Sequence, residues 1–537
     1  MIDTTYRTED GSMMGTKICT SSDETRWRRR ALWLIIALGC FRLLYAMIVP
    51  LDLVHDEAYY WDWSRQLDWG YYSKPPMVAW LIALSTSLGG SSAFAVRVPA
   101  ILLGTAGLGW MYLLAARLYG RQAGFWAALI AAATPGNAAM SLLMTIDAPL
   151  LFCWGAALYM FWRMLERGPR QMLWLTGAVV SVGFGLLSKQ TMLGFLALGG
   201  LFVLTSHDDR RELTRPNFWV WLLGALSFLA PVAWWNSQHG WVTIQHTSGH
   251  FAGDHVDWIK RLSRSGEFVA GQLGVISPVT CFLLVAVMCG AFLAFRRLGR
   301  KERFLLCFSG LPLAGVYVLS LMRRVEPNWP APFYLSAMVL LVGAGLKRFP
   351  FSAWPLIRES HLVRAAAVGG MTVAVAYLIP FGWGLQGSKL DATVRLRGWQ
   401  QLASAVAQRF ATFPRPGKTF IMVTSGRAVA SELAFYLPHQ PRVYLWNYGD
   451  QIVSQYDLWG GPTEKADWDA LIVTPKGGTA PPELAAQFAR VEDCGEIAVP
   501  IGAGRSHTYR IWRGVRFGTL PETPYLAERV STSTRLR

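Results

Sequence analysis

The sequence predicts a mainly α-helical, polytopic membrane protein with a smaller mixed α/β domain towards its C-terminal end. Three observations lead there. Of 537 residues, 53% are hydrophobic and only 16% are charged, whereas a soluble chain carries about a quarter charged residues. Apolar runs such as ALWLIIALGCFRLLYAMIV, APLLFCWGAALYMFW and FLLVAVMCGAFLAF recur along the first three quarters, near the length that crosses about 30 Å of hydrocarbon as a helix. Beyond about residue 390 the pattern changes to short β-type segments alternating with amphipathic ones.

The basic balance has a matching explanation. Net charge is +17 and there are 25 Trp, but the Lys and Arg stand mostly in short clusters between apolar runs. That is the positive-inside pattern, with Trp and Tyr as interfacial anchors. No RNA- or DNA-reading motif accompanies the charge, so nucleic acid is not an expected partner. The seven cysteines include no C-x-x-C pair, and Cys40, Cys153, Cys281 and Cys289 fall inside apolar runs. Neither a disulfide framework nor a zinc knuckle is indicated.

Taken in order, residues 1–30 form an inside segment ending in RWRRR, and the first apolar run is read as a retained helix rather than a signal peptide. A span over about 31–50 leads outward, followed by an interfacial helix at 75–88. The later spans are expected near 94–116, 122–140 (broken near Pro135-Gly136), 148–165, 171–187, 191–205, 217–235, 268–295, 304–321, 331–346 and 363–385. That gives about eleven crossings within a membrane domain at 31–386. The alternation puts most Arg-rich loops inside. Asp56, Glu57, Lys74, Asp147, Lys189 and Glu326 then fall outside, as do Arg323 and Arg324. A one-sided ionisable cluster is the main pointer to a site.

Residues 387–515 predict the mixed α/β domain. TFIMVTS, RVYLWN and DALIVTP read as buried strands, GRAVASELAFYL and PPELAAQFARV as amphipathic helices, and GRSHTYRIWRGVRF as an edge strand. Residues 516–537 read as a polar, disordered tail. No G-x-G-x-x-G or P-loop supports nucleotide binding.

An outer site has no nucleotide sugar within reach, so group transfer there calls for a lipid-borne donor such as a polyprenyl-phosphate sugar. Such a reaction needs a carboxylate to take the acceptor's hydroxyl proton and cations to steady the leaving phosphate. Asp56 or Glu57 suits the first part; Lys74, Lys189 and the Arg323/Arg324 pair suit the second. Plainer roles compete. A DE pair beside a helix end is often a solvated cap, a lone lysine at a membrane edge often snorkels, and Asp147 before Pro149 can simply begin a helix. His246, His250 and His255, with Asp254 and Asp257, match no helix-borne metal spacing and read as a polar, acceptor-facing loop.

HDEAYYWDWS, YYSKPPMVAWL, TIDAPLLF, GLLSKQTM and EPNWPAPFYLSA, with the later ASELAFYL and QYDLWGG, resemble the ordered motifs of bacterial glycosyltransferase family 39. This group includes protein O-mannosyltransferase relatives and the lipid A aminoarabinose and rhizobial galacturonosyltransferases. The resemblance covers about residues 31–515. It implies a GT-C fold in a bacterial inner membrane, with catalytic outer loops and a periplasmic domain. By motif position Asp56 is the catalytic carboxylate with Glu57 its neighbour, and Lys74 and Lys189 serve the donor phosphate. Tyr59, Tyr72, Asp147, His246, His250, Glu326 and Asn328 shape the sugar or acceptor site. The implied partners are a lipid-linked sugar, a glycolipid or protein acceptor and bilayer lipids. No obligatory cofactor is implied, although two adjacent carboxylates can hold a divalent ion. Ser73 stands where aminoarabinose transferases carry Glu before the KPP lysine, a departure from that pattern that argues against the same donor sugar and against a metal held by that Glu. A transporter or flippase, a glycan polymerase or ligase, and a scaffold are the competing readings. Broken midplane helices in matching halves would mark a carrier.

Overall fold

The computed structural model describes residues 21–249, 257–349, 357–382, 386–388, 391, 393–447 and 451–518. His250, Asp254, His255, Cys19 and residues 519–537 lie outside these.

The first helix, α1 (Ser21–Ile48), begins ten residues earlier than the apolar run, so the RWRRR cluster is helical rather than part of a separate segment. Good helix formers let the turn propagate out of the apolar region. Then follow α2 (His55–Ser64), α3 (Met77–Gly89) and α4 (Ala93–Tyr119). The expected break near Pro135 falls between α5 (Arg121–Ala132) and α6 (Pro135–Met140), where Thr134 caps the second piece by accepting from the Asn137 N–H. Next come α7 (Asp147–Leu165), α8 (Gln171–Leu186), α9 (Leu193–Thr205), α10 (Pro216–Ser227), α11 (Ala230–Gln238) and α12 (Val242–Gly249).

The single span expected at 268–295 is instead two helices, α13 (Trp258–Ile276) and α14 (Pro278–Leu293), bent by 111°. Ser277 at φ +66 and Pro278 at the first helical position cause the break, since proline cannot continue the preceding helix. The remaining membrane-domain helices are α15 (Arg300–Cys307), α16 (Gly310–Met322), α17 (Ala331–Gly345) and α18 (Glu359–Leu378). Among the described residues, six helices are long and apolar enough to cross a membrane, or up to seven counting the bent pair. Four shorter apolar helices, including α3, α8 and α17, stand beside them. The chain is therefore a multi-pass membrane protein.

The C-terminal region comprises α19 (Trp399–Ala411), β1 (Thr419–Val423), α20 (Arg427–Tyr436), β2 (Val443–Leu445), α21 (Gln455–Trp459), β3 (Asp469–Pro475), α22 (Pro482–Ala485), β4 (Phe488–Gly502) and β5 (Arg505–Phe517). The sheet order is β2-β1-β3-β5-β4, parallel through β2, β1 and β3 and antiparallel through β5 and β4. Two expectations fail here. PPELAAQFARV is helical only over Pro482–Ala485 and then enters β4, which also takes the edge position expected of β5. The charges in β4 sit on a half-exposed edge, where they hide a strand from periodicity but are tolerated. The strand also runs to Phe517, past the start of the supposed tail.

The sheet domain is not tethered loosely. One hydrophobic core joins α2, α3 and the loop before α7 to α19, β1, α20 and β3. Trp61 of α2 meets Phe435 of α20 edge-on at 4.9 Å, and Tyr59 stacks on Tyr456 at 5.7 Å. Polar contacts fix the register: the Leu53 N–H donates to Tyr436 Oη (2.7 Å), the Trp399 N–H to Asp52 (2.8 Å), and Tyr456 Oη to Asp62 (2.8 Å).

Candidate active site

The adjacent carboxylates that begin α2 have opposite fates. Glu57 is completely buried. It accepts from Arg97 of α4 at 3.1 and 3.3 Å, from the Val54 N–H at 3.0 Å and from the Met144 N–H at 2.8 Å. A carboxylate so fully bonded is structural. It ties the start of α2 to α4 and to the loop before α7, which leaves Asp56 as the open member of the pair.

Asp56 points towards the sheet domain. Its side chain is 37% exposed and its Oδ1 receives Arg427 Nη2, from the first residue of α20, at 3.2 Å. His55 Nε2 lies 3.9 Å away, and burial pulls the imidazole below its ordinary range, which favours the neutral form.

Lys74 is presented by the loop between α2 and α3. Tyr71 of that loop stacks on Trp63 of α2 at 4.4 Å, and the Met77 N–H donates to Leu187 O, tying α3 to the end of α8. The Lys74 ammonium makes no hydrogen bond among the described residues. Burial, and then Lys189, lower its pKa to about 8, while Asp147 and Asp56 partly offset this. Lys189, at the end of α8, donates to Asp147 Oδ1 at 2.7 Å, and Asn328 donates to Asp147 Oδ2 at 2.7 Å. Asp147 is therefore a buried bridge between three segments.

The remaining candidates divide. Tyr72 pairs its hydroxyl with His246 Nδ1 at 3.2 Å, and its backbone N–H donates to Gln455 at 2.7 Å. Tyr59 accepts from the Gln455 N–H at 2.6 Å and forms the floor beneath Arg427, whose guanidinium lies 4.6 Å above the ring. Arg324 is 78% exposed and pairs with Glu326 at 3.7 Å, and among the described residues it makes no ion pair with Asp56. Arg323 is buried at the end of α16. Among the described residues no three His, Cys, Asp or Glu side chains converge as a metal site would require.

Sequence reading missed the two arginines that divide the labour. Arg97 stands as a lone charge near the start of an apolar run, a signal that was there to be used. Arg427 opens the GRAVASELAFYL helix, and nothing local distinguishes it from a surface charge.

Residues 73–235 match the family model described as dolichyl-phosphate-mannose-protein mannosyltransferase. A lipid A galacturonosyltransferase of Rhizobium johnstonii is 29% identical over 319 residues, 58% of this chain and 65% of that protein. The chain thus aligns with just under two thirds of that relative's length. A lipopolysaccharide core galacturonosyltransferase of the same organism is 25% identical over 60% of this chain and 68% of its own. In fold, ArnT from Cupriavidus metallidurans bound to undecaprenyl phosphate is similar with a TM-score of 0.59 at 15% identity, covering 93% of this chain and 100% of that one. The chain is thus similar in part of its sequence to membrane glycosyltransferases, and over nearly its whole length it shares the fold of ArnT.

Proposed function

We propose that the protein transfers a sugar from a polyprenyl-phosphate donor to a hydroxyl of a glycolipid, at the periplasmic face of a bacterial inner membrane. The observation that carries the reading is one open carboxylate, Asp56, within electrostatic reach of an ammonium, Lys74, that makes no hydrogen bond among the described residues. Asp56 accepts the acceptor hydroxyl's proton as that oxygen attacks the anomeric carbon. The bond from that carbon to the phosphate oxygen breaks on the opposite face, and its electron pair leaves with the phosphate. Lys74 steadies the charge that develops there. A single displacement of this kind inverts the anomeric centre. Lys189 is held by Asp147, whose other oxygen accepts from Asn328, and lies close enough to act on Lys74 and on the same anion.

Two curated relatives are named for galacturonic acid, and Ser73 offers no carboxylate to an amino sugar, so a hexuronic acid is the sugar of choice. Lipid A or its core oligosaccharide is the acceptor class, with a protein hydroxyl as the alternative. Of the shorter apolar helices, α8, α9 and α17, together with the broken α5–α6 stretch, bring the crossings towards about eleven, with α3 lying at the interface. The sheet domain lies on the same side as the site because it packs directly on α2. The carrier reading is not favoured, since the matched relatives are transferases.

The test is transfer from radiolabelled polyprenyl-phosphate galacturonate to lipid A in vesicles. Wild type should turn over, and Asp56→Asn should bind donor without transferring. Equal turnover by the two proteins would sink the assignment of Asp56.

A further inference from the structure

The sheet domain reaches the candidate site through one side chain. Arg427 begins α20, directly after β1, at the carboxyl ends of the parallel strands. That is where open α/β sheets place their ligand crevice. Here the crevice is closed against α2, and its arginine meets Asp56.

The contact differs in kind from the ion pairs nearby. Arg97 grips Glu57 through two nitrogens in a fully buried setting, whereas Arg427 touches Asp56 through one nitrogen, with both side chains more than a third exposed. A guanidinium carries five donors, and only this one is engaged among the described residues. The group nevertheless has a fixed seat. It lies on the Tyr59 ring, which is held by the Gln455 N–H and by stacking on Tyr456. Charge adds a reason. Three cations, Lys74, Lys189 and Arg427, gather around Asp56 and Asp147, and Asp147 is already held by Lys189 and Asn328. Such a concentration of positive charge suits a phosphodiester.

We propose that Arg427 is the sheet domain's own contribution to the reaction: its guanidinium, which rests on Asp56, transfers to the donor's phosphate when the donor binds and so frees Asp56. This rests on the donor class proposed above. It adds a binding group from a second domain, so that loading the donor and exposing the base become one event. A fork of parallel N–H donors is better matched to phosphate oxygens than to a single carboxylate oxygen.

The probe is undecaprenyl phosphate without a sugar, bound to the full-length protein in nanodiscs. Arg427→Ala should weaken its binding about tenfold or more, and Arg427→Lys should recover part of that loss. Asp56→Asn, which releases the guanidinium, should tighten binding about two- to fivefold, and that gain should vanish in the Asp56→Asn/Arg427→Ala double variant. A purely structural Arg427 would not produce that dependence. Tyr436→Phe, which loosens the contact between the domains without touching the site, should leave the affinity unchanged. The proposal is overturned if Arg427→Ala binds the probe as wild type does. It also falls if the gain in Asp56→Asn persists without Arg427, or if Tyr436→Phe matches the loss in Arg427→Ala. If wild type does not bind the probe at all, the donor reading itself falls, and this inference with it.

Discussion

Asp56 and Glu57 are neighbours in sequence and share the first turn of α2, yet they belong to different regions of the molecule. Glu57 turns into the membrane domain, is fully buried and meets Arg97 and two backbone N–H groups. Asp56 turns towards the sheet domain and keeps a third of its surface open beneath Arg427. A helical turn puts consecutive side chains about 100° apart, so one carboxylate can anchor the helix while the next works. The difference teaches that an acidic pair at a membrane edge need not be a catalytic pair. Burial and the number of bonds decide which member is free.

The largest expected effect comes from breaking the buried side of this comparison. Arg97→Ala leaves Glu57 as an uncompensated buried charge, which costs about 3–5 kcal/mol. Thermal unfolding in detergent should register that as a large drop or as failure to purify, and an unchanged melting curve would make the two carboxylates equivalent after all. The open side should behave in the opposite way. Asp56→Asn should lower kcat by about 10²–10⁴-fold while leaving the melting temperature near that of wild type.

A smaller effect belongs to Lys74. Burial, and then Lys189, lower its pKa to about 8, so its positive charge is lost as pH rises through that value. Donor-phosphate affinity should decline over the same range, and Lys74→Ala should be weak at every pH. A flat profile in wild type would remove Lys74 from the phosphate.

The smallest expected effect tests the shared core. Glu432 of α20 is fully buried, its two carboxyl oxygens have no partner among the described residues, and burial, then Asp52 and Glu57, push its pKa well above the usual carboxylate range. The folded state therefore keeps a proton that the unfolded chain releases. Stability should fall as pH rises from the unfolded carboxylate's value towards the folded one. Glu432→Gln should flatten that slope in a series of melting curves, and a slope equal to wild type would show that Glu432 is ionised in place.

Much of the fold was legible because its signals are local. Apolar length, basic loops and a change of pattern near residue 390 each occupy a short window, and Asp56, Lys74, Asp147 and Lys189 stood out as charges at the ends of apolar runs. The failures were also physical. β4 carries charges that a half-exposed edge accepts, so its alternation was blurred. The expected 268–295 span breaks at Ser277, which a long hydrophobic window averages over.

Composition and periodicity, being one-dimensional properties, settled the membrane class, the presence of a second domain and the residue types available for chemistry. Tertiary structure alone decided which carboxylate is buried, that Asn328 and Lys189 share Asp147, and that a sheet-domain arginine sits on the candidate base. Arg97 lies 40 residues from Glu57 and Arg427 lies 371 from Asp56. No local window spans such separations, and the partner of a charge is set by what the packed core brings beside it.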